Sequence, residues 1–267
     1  MNLFQYQFMV NAFRAGTTVA VLAAVVGWFM VLRRQTFAGH TLALIGFPGA
    51  AGAILLGLSV QLGFFAFCIG GALVIGALPS DRAGRFNDES AVIAIVQTFA
   101  LATGFLFASL YRGNLSRVSS LLFGTFLGVT TQQVRTLVVV TIVAMVVLLA
   151  LGRPLLFASI DPDVAEAAGV PTRALSIAFL VLLGAAAAEA SQITGSLLIF
   201  ALLVLPPATA QTITTRPVRS LGLSVAIGLA VTWSGLAIAY YSPYPIGFWI
   251  TSIAFALYVA ARARAFT

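Results

Sequence analysis

Apolar residues fill most of the chain in long runs, which are interrupted by Arg, Pro or short polar clusters. A helix needs about 20 mostly apolar residues to cross the hydrocarbon layer of a bilayer. Because a lipid-exposed backbone must satisfy its own hydrogen bonds, each long run is predicted to be a membrane helix. Several connections are so tight that eight spans are the nearest alternative to nine. The nine predicted cores are residues 13–32, 37–58, 62–79, 91–110, 136–152, 174–190, 195–211, 220–240 and 246–261.

Composition agrees with lipid as the solvent. Hydrophobic residues make up 61% of the 267 residues and charged residues 8%, whereas a soluble domain is about 25% charged. The predicted fold class is therefore an all-α, polytopic membrane helix bundle, with residues 1–267 forming one domain. Nine spans leave no room for a soluble ATPase, kinase or nuclease domain, and the chain contains no G-x-x-x-x-G-K-S/T phosphate loop.

The arginines predict the orientation of the spans. The chain has 14 basic residues, all Arg, and 7 acidic ones. In a membrane protein this excess indicates sidedness rather than nucleic-acid binding, because basic loops stay in the cytoplasm. We therefore expect the amino terminus outside and the carboxyl terminus in the cytoplasm. This places Arg33, Arg34, Arg82, Arg85, Arg153, Arg173, Arg216, Arg219, Arg262 and Arg264 inside, and Arg14, Arg112, Arg117 and Arg135 outside.

Two other stretches have their own interpretation. The run at residues 15–32 is too long for the core of a secretory signal, and no small-residue cleavage site follows it. We expect it to be the first membrane helix. Residues 112–135 contain apolar positions in a pattern too short to span, which predicts a short helix lying at the outer surface.

The most polar stretch, residues 159–171, predicts a short helix in the cytoplasm with both ends encoded locally. An Asp suited to the N-cap precedes a Pro at the first helical position, and a Gly follows where the chain must turn left-handed. A two-turn helix is unstable alone in water, so it must dock, either on the chain's own bundle or on a soluble partner. The residues assigned to it are Asp161, Pro162, Asp163, Glu166, Ala168 and Gly169.

Three segments resemble one family, the ABC transporter permeases that import zinc, manganese or iron. Residues 32–52, LRRQTFAGHTLALIGFPGAAG, are similar to the second-helix signature of that family. Residues 161–171 resemble its coupling loop, and residues 195–210, GSLLIFALLVLPPATA, are similar to its glycine-leucine-leucine and proline-alanine-threonine-alanine signature. Order and spacing also agree, and the likeness extends over most of the chain.

The resemblance implies a permease subunit of the cell membrane that pairs with a second permease protomer, as a homodimer or heterodimer. Its other implied partners are a cytoplasmic ATP-binding subunit and an extracytoplasmic solute-binding protein. ATP hydrolysis would then belong to the partner subunit, and this chain would be neither an enzyme nor the holder of a cofactor. The resemblance also favours the ATPase as the surface on which the helix at residues 161–169 docks.

One departure from the family falls at a chemically sensitive position. The family usually has Asp at the position of His40 and Ser-His at Ala43 and Leu44, which places a carboxylate and an imidazole at i and i+4. That spacing suits a transient site for a divalent ion. His40 is the only histidine, so two imidazoles meet only if a dimer brings two copies together. Its alternative role is a hydrogen bond to nearby backbone or to a lipid headgroup near the cytoplasmic end of its helix.

A second candidate group surrounds Glu189, the one carboxylate that falls within a predicted span. Burial of a charge there costs at least about 2.5–3.5 kcal/mol, so such residues usually face a polar path or another helix. With Ser191 and Gln192, this residue would line a narrow pathway; alternatively, it lies at the outer interface.

Prolines interrupt two predicted helices, one in each half of the chain. A proline frees a carbonyl group that can coordinate a cation or bend a gating helix, and paired interruptions often mark a transport path. The alternative is a kink required only for packing. The residues concerned are Pro48, Pro206 and Pro207.

The sequence therefore predicts a permease that moves a divalent transition-metal ion, or a chelate of one, by alternating access. The alternative is a proton- or ion-coupled secondary transporter that uses Glu189 as its carrier. A membrane-embedded enzyme is less consistent with the chain, because no nucleophile triad is visible and a lone histidine offers little acid–base chemistry.

Overall fold

The computed structural model describes residues 5–77, 86–111 and 128–264, which form ten helices and no strand. The predicted all-α membrane bundle is confirmed, and each of the nine predicted cores coincides with one helix. Eight helices are long and apolar enough to cross a membrane, and α8 adds a shorter apolar segment, Leu198–Ile213. The helices are α1 Gln7–Leu32, α2 Thr36–Leu55, α3 Val60–Ala77, α4 Phe86–Leu110, α5 Thr131–Ile160, α6 Pro162–Ala167, α7 Thr172–Thr194, α8 Ser196–Ile213, α9 Pro217–Tyr241 and α10 Ile246–Arg264.

The largest difference from the predicted boundaries is in α5, whose core was expected at residues 136–152. The helix begins earlier because Thr130 and Gln133 form a reciprocal capping box. It also continues through Pro154 to Ile160, where Leu155 and Ala158 are buried against the bundle. Packing of that last part outweighs the one backbone hydrogen bond that a proline removes.

The surface helix predicted at residues 112–135 is only partly open to comparison. Residues 112–127 lie outside the described part of the chain. The remainder consists of the loop before α5 and the first turn of α5 itself.

Successive membrane helices run in opposite directions, so the chain turns at two ends of the bundle. One end, named here the α6 end, contains the α1–α2 turn at residues 33–35, α6 and the α8–α9 connection at residues 214–216. Long-range hydrogen bonds hold it together: Trp28 Nε1 donates to Ser220 Oγ at 3.0 Å, and Gln211 Nε2 to the Trp28 carbonyl oxygen at 3.0 Å. At the opposite end, Asn11 Nδ2 donates to the Val129 carbonyl oxygen at 3.1 Å.

Helix α2 lies at the centre of the bundle. Fifteen of its 20 residues are buried, whereas α10 buries only Ile250 and Ala254. A helix that is apolar on all sides suits a position surrounded by other helices. The hydrophobic core is therefore built around α2, and α10 lies at the edge.

Close backbone contacts at glycines hold α3 between α2 and α7. A Cβ atom added to Gly49 of α2 would meet the carbonyl oxygen of Gly63 in α3, and the reverse also holds. Against α7, a Cβ atom added to Gly184 would lie 2.8 Å from the Cys68 carbonyl oxygen. Lipid is as apolar as the helix surfaces, so the hydrophobic effect does not drive helices together in a membrane. They associate instead through such close packing at small residues.

Replacement of Gly49 with Ala is expected to destabilise the α2–α3 contact by roughly 1–3 kcal/mol, because the new methyl group meets backbone that cannot rotate away. The measurement is the thermal unfolding midpoint in detergent. Gly70→Ala in α3 is the matched control, since a Cβ atom there meets nothing within 4 Å. Equal midpoints for the two variants would contradict the proposed close contact.

Candidate functional site

Glu189 is buried near the end of α7, with only 3% of its surface exposed. Its Oε2 atom accepts hydrogen bonds from Gln61 Nε2 at 3.3 Å and from Gln192 Nε2 at 3.4 Å. Hydrogen bonds to a charged group contribute about 1.5–3 kcal/mol each. Both bonds are long, at 3.3 and 3.4 Å, so they offset only part of the cost of an ionised carboxylate in a membrane. These three residues are named here the Glu189 group.

Gln61, which reaches Glu189 from another helix, is not predicted by the sequence. Gln61 is exposed, at the second position of α3. A polar side chain at the start of a membrane helix is ordinary interface chemistry, so the sequence gives no signal for this role. Only the packing of α3 against α7 shows it.

Two hydroxyl groups in the same stretch of chain have no hydrogen-bond partner. The side chains of Ser191 and Ser196 are each 1% exposed, and both Oγ atoms are buried and unpartnered. A buried polar group without a partner costs about 1–3 kcal/mol. The end of α7 and the start of α8 are thus unusually polar for a buried part of this protein.

His40 lies in the second turn of α2 and is half-buried. Its ring packs against Phe200 of α8, with 4.5 Å between the ring centroids, and its Nδ1 atom is buried without a hydrogen-bond partner. The Nδ1 atom therefore makes no hydrogen bond to nearby backbone, and a bond from the imidazole to a lipid headgroup stays a prediction. An unpartnered imidazole nitrogen can accept a hydrogen bond or bind a metal ion when it is unprotonated, and it can donate a hydrogen bond when it carries the proton.

His40 and Glu189 do not form one site, although both are candidates for the substrate pathway. Helices α2 and α3 run antiparallel and meet at Gly49 and Gly63. Gln61, two residues before Gly63, therefore lies at the same height along the bundle as Ala51, two residues after Gly49. The axial distance from His40 to that level is roughly 16 Å, because a helix rises 1.5 Å per residue. His40 belongs to the α6 end and the Glu189 group to the opposite end. Among the described residues, no three His, Cys, Asp or Glu side chains gather in a way that could hold a metal ion.

The predicted prolines lie inside helices, as expected. Pro48 is buried in α2, where a Cβ atom added to Gly104 of α4 would lie 3.0 Å from its Cα. Pro206 and Pro207 are buried in α8. The packing interpretation accounts for the surroundings of Pro48, and a gating role for the three residues stays a prediction.

Helix α6 has the ends that the sequence predicts. The Asp161 carboxylate accepts a hydrogen bond from the Val164 backbone N–H at 3.0 Å, and Pro162 is the first helical residue. At the other end, the Gly169 N–H donates to the Glu166 carbonyl oxygen at 2.9 Å. The Val170 N–H donates to the Ala165 carbonyl oxygen at 3.0 Å, which completes a Schellman motif with Gly169 at φ +83° and Ala168 at the C-cap.

Helix α6 buries one side chain in its own bundle. Ala165 is fully buried in the core of the bundle, and the other five residues of the helix are exposed. The predicted alternative of docking on the chain's own bundle is therefore realised on one face only. The opposite face, with Asp163, Val164 and Ala167, points away from this chain.

Comparison with known proteins places the chain in a family. Residues 5–265 match the model of the ABC 3 transport family. The chain belongs to the ABC 3 transport family. The predicted resemblance to ABC transporter permeases is thereby confirmed, and the all-α bundle is the membrane part of a transport system.

Three known proteins are similar to this permease over most of the length of both chains. It is 27% identical over 260 residues to the manganese transport system membrane protein MntC of Halalkalibacterium halodurans, covering 97% of this chain and 88% of that one. It is 30% identical over 238 residues to the chelated iron transport system membrane protein YfeC of Yersinia pestis, covering 89% and 80%. The solved structure of PsaBC from Streptococcus pneumoniae in complex with Fab matches with a TM-score of 0.85 at 25% identity, covering 97% and 92%.

Replacement of Glu189 with Gln is expected to raise the free energy of unfolding of the permease by about 1–2 kcal/mol, because an amide of the same shape costs less to bury than a charge. The measurement is the thermal unfolding midpoint of the purified permease in detergent without added metal ions. Asp163→Asn in exposed α6 is the control. A lower midpoint for Glu189→Gln would instead make the Glu189 group a structural contact.

Proposed function

We propose that this permease is the membrane subunit of an ATP-driven importer for a divalent transition-metal ion, free or as a chelate. The observation that carries the proposal is the nearly full-length similarity to relatives named for manganese and chelated-iron transport. Zinc, manganese and iron all stay candidates. With His40 and Leu44 in place of the usual Asp and His, the family's own ligand pair does not choose among them.

The α6 end is proposed to face the cytoplasm. Among the described arginines, eight belong to this end and two to the opposite end, and basic residues favour the cytoplasmic side. The amino terminus then lies outside and the carboxyl terminus inside. The eight are Arg33, Arg34, Arg153, Arg173, Arg216, Arg219, Arg262 and Arg264, and the two are Arg14 and Arg135.

In this orientation the Glu189 group lies near the extracytoplasmic surface, where a solute-binding protein would deliver the ion. Glu189, Gln61 and Gln192 supply carboxylate and amide oxygens, which suit manganese better than softer metals. The exposed side chain of Gln61 connects the buried carboxylate to the surface. Rotation of either amide would turn an oxygen toward an ion that neutralises Glu189.

His40 is proposed to act later, near the cytoplasmic end. An imidazole nitrogen suits zinc and iron as a neutral ligand. One imidazole is a weak site alone, so a second permease protomer would have to bring its own copy close. Weak binding at the exit favours release of the ion.

Helix α6 is proposed to dock in a groove of a separate cytoplasmic ATP-binding subunit. Its exposed face combines an apolar side chain, Val164, with small Ala167 and the carboxylate of Asp163. Small side chains permit close approach, and the carboxylate offers a partner for basic residues. Closure of the ATPase pair would then push on α6 and change which end of the permease is open.

A secondary transporter is the second candidate, because Glu189 is buried with neutral partners. A buried carboxylate held only by amides is also suited to carry a proton. In that case transport would follow an ion gradient and would need no ATP-binding partner.

ATP-dependent uptake tests the two candidates directly. Proteoliposomes containing the permease and its ATP-binding subunit, supplied with the solute-binding protein, are expected to take up Mn²⁺, Zn²⁺, Fe²⁺ or an iron chelate only with ATP. Glu189→Gln is expected to lower uptake by about tenfold, the loss expected for one charged ligand, while ATP hydrolysis persists. His40→Ala, tested in parallel, shows whether the imidazole is a required ligand. Uptake that follows a proton gradient without ATP would support the secondary transporter instead.

The helix end at Gly169 gives a test of coupling. Gly169→Ala places a side chain at φ +83°, which costs roughly 1–2 kcal/mol for an L-residue and unwinds the end of α6. We expect normal membrane insertion, continued ATP hydrolysis and a strong loss of uptake. Gly222→Ala in α9 is the matched control, because a Cβ atom meets nothing within 4 Å at either position and only Gly169 has a positive φ. Full uptake by Gly169→Ala would remove α6 from the coupling mechanism.

A further inference from the structure

Arg33 connects the two helices on either side of α6 to the end of α1. Its Nη1 atom donates to Ser159 Oγ at 3.2 Å, and its Nη2 atom donates to Ser176 Oγ at 2.7 Å. Ser159 lies in the last turn of α5, two residues before the cap of α6, and Ser176 is the fifth residue of α7. One guanidinium group thus bridges the chain just before and just after α6.

Among the residues that the structure describes, Arg33 is held in place by neutral partners. Its Nε atom donates to Gln35 Oε1 at 3.2 Å, and its Cζ atom lies 5.7 Å from the centroid of the Phe179 ring in α7, within cation–π range. All of these partners are neutral. Since Arg33 is half-buried, a charge present only to set orientation would not need so many contacts.

The α1–α2 turn transmits the position of Arg33 to α2. The Gln35 N–H donates to the Met30 carbonyl oxygen at 3.0 Å, and the Arg34 N–H donates to that of Val31 at 3.1 Å. Arg34 has φ +58°, so α1 ends in a tight turn in which this one residue adopts the left-handed conformation. The first turns of α2 pack directly on α1, because a Cβ atom added to Gly39 would meet the sulfur of Met30.

We propose that Arg33 is a positioning residue that transmits displacement of α6 to α2 and thereby to His40. A push on α6 moves the ends of α5 and α7, and Arg33 grips both ends. The planar guanidinium presents donors in fixed directions, so it keeps the two serines and the α1–α2 turn in one geometry. His40 lies only seven residues after Arg33, beyond the rigid turn. This inference rests on the proposed docking of α6 on an ATPase.

The geometry also predicts which substitutions interrupt transmission. Arg33→Lys keeps the positive charge, and with it the orientation signal, but an ammonium group cannot hold both serines in the same geometry. Ser159→Ala with Ser176→Ala removes both acceptors and leaves Arg33 in place. Arg34→Lys is the matched control, because that neighbouring side chain is exposed and the substitution keeps its charge.

The test measures Mn²⁺ uptake and ATP hydrolysis in the same proteoliposomes, containing the permease, its ATP-binding subunit and the solute-binding protein. For Arg33→Lys and for the double serine variant we expect uptake to fall about tenfold while ATP hydrolysis stays within about twofold, an ordinary coupling energy between linked sites. Arg34→Lys should match the wild type.

Each of the following results would overturn the inference. Normal uptake in Arg33→Lys would remove the residue from transmission. A parallel loss of uptake and ATP hydrolysis, or loss of the folded protein in both variants, would make Arg33 a structural contact. Full uptake in the double serine variant would show that the bonds to Ser159 and Ser176 do not carry the motion. A wild type without ATP-driven uptake would refute the proposed function itself, and the inference with it.

Discussion

The contact of backbone with backbone at Gly49 and Gly63 fixes the arrangement on which the candidate sites depend. Because neither residue has a side chain, α3 approaches α2 as closely as two helices can. Gly184 gives α7 similar access to α3 at Cys68. With α3 held between these two helices, the side chain of Gln61 reaches the Glu189 carboxylate. The hydrogen bond between Gln61 and Glu189 therefore depends on the close helix packing at three glycines.

Lipid as the solvent explains which features the sequence could predict. Span positions follow from hydropathy, because a backbone in hydrocarbon has almost no alternative to the helix. The ends of α6 were also predictable, since the hydrogen bonds at Asp161 and around Gly169 join residues only three to five positions apart. Pro162 acts locally in the same way, as the first helical residue. The family signatures were equally readable, because each is a continuous segment. In every case the determining interactions are close together in the chain.

Long-range contacts account for what was missed. Gln61 and Glu189 are 128 positions apart, and Arg33 lies 126 and 143 positions from its two serines. No local pattern marks such pairs. The sequence predicts Arg33 only as one of ten charges that set sidedness, which leaves its hydrogen bonds unexplained. The extension of α5 beyond Pro154 is similar, because it depends on burial against other helices.

Helix α6 carries a further consequence for how such transporters diversify. Its start and its end are each fixed by bonds within residues 161–170, and of its six residues only Ala165 is buried. Substitution of exposed Asp163, Val164 or Ala167 therefore leaves the packing of the bundle unchanged. A permease built in this way acquires a different surface at the α6 end by exchanging side chains of one short contiguous segment, while residues such as His40, more than a hundred positions away in the chain, are inherited unchanged.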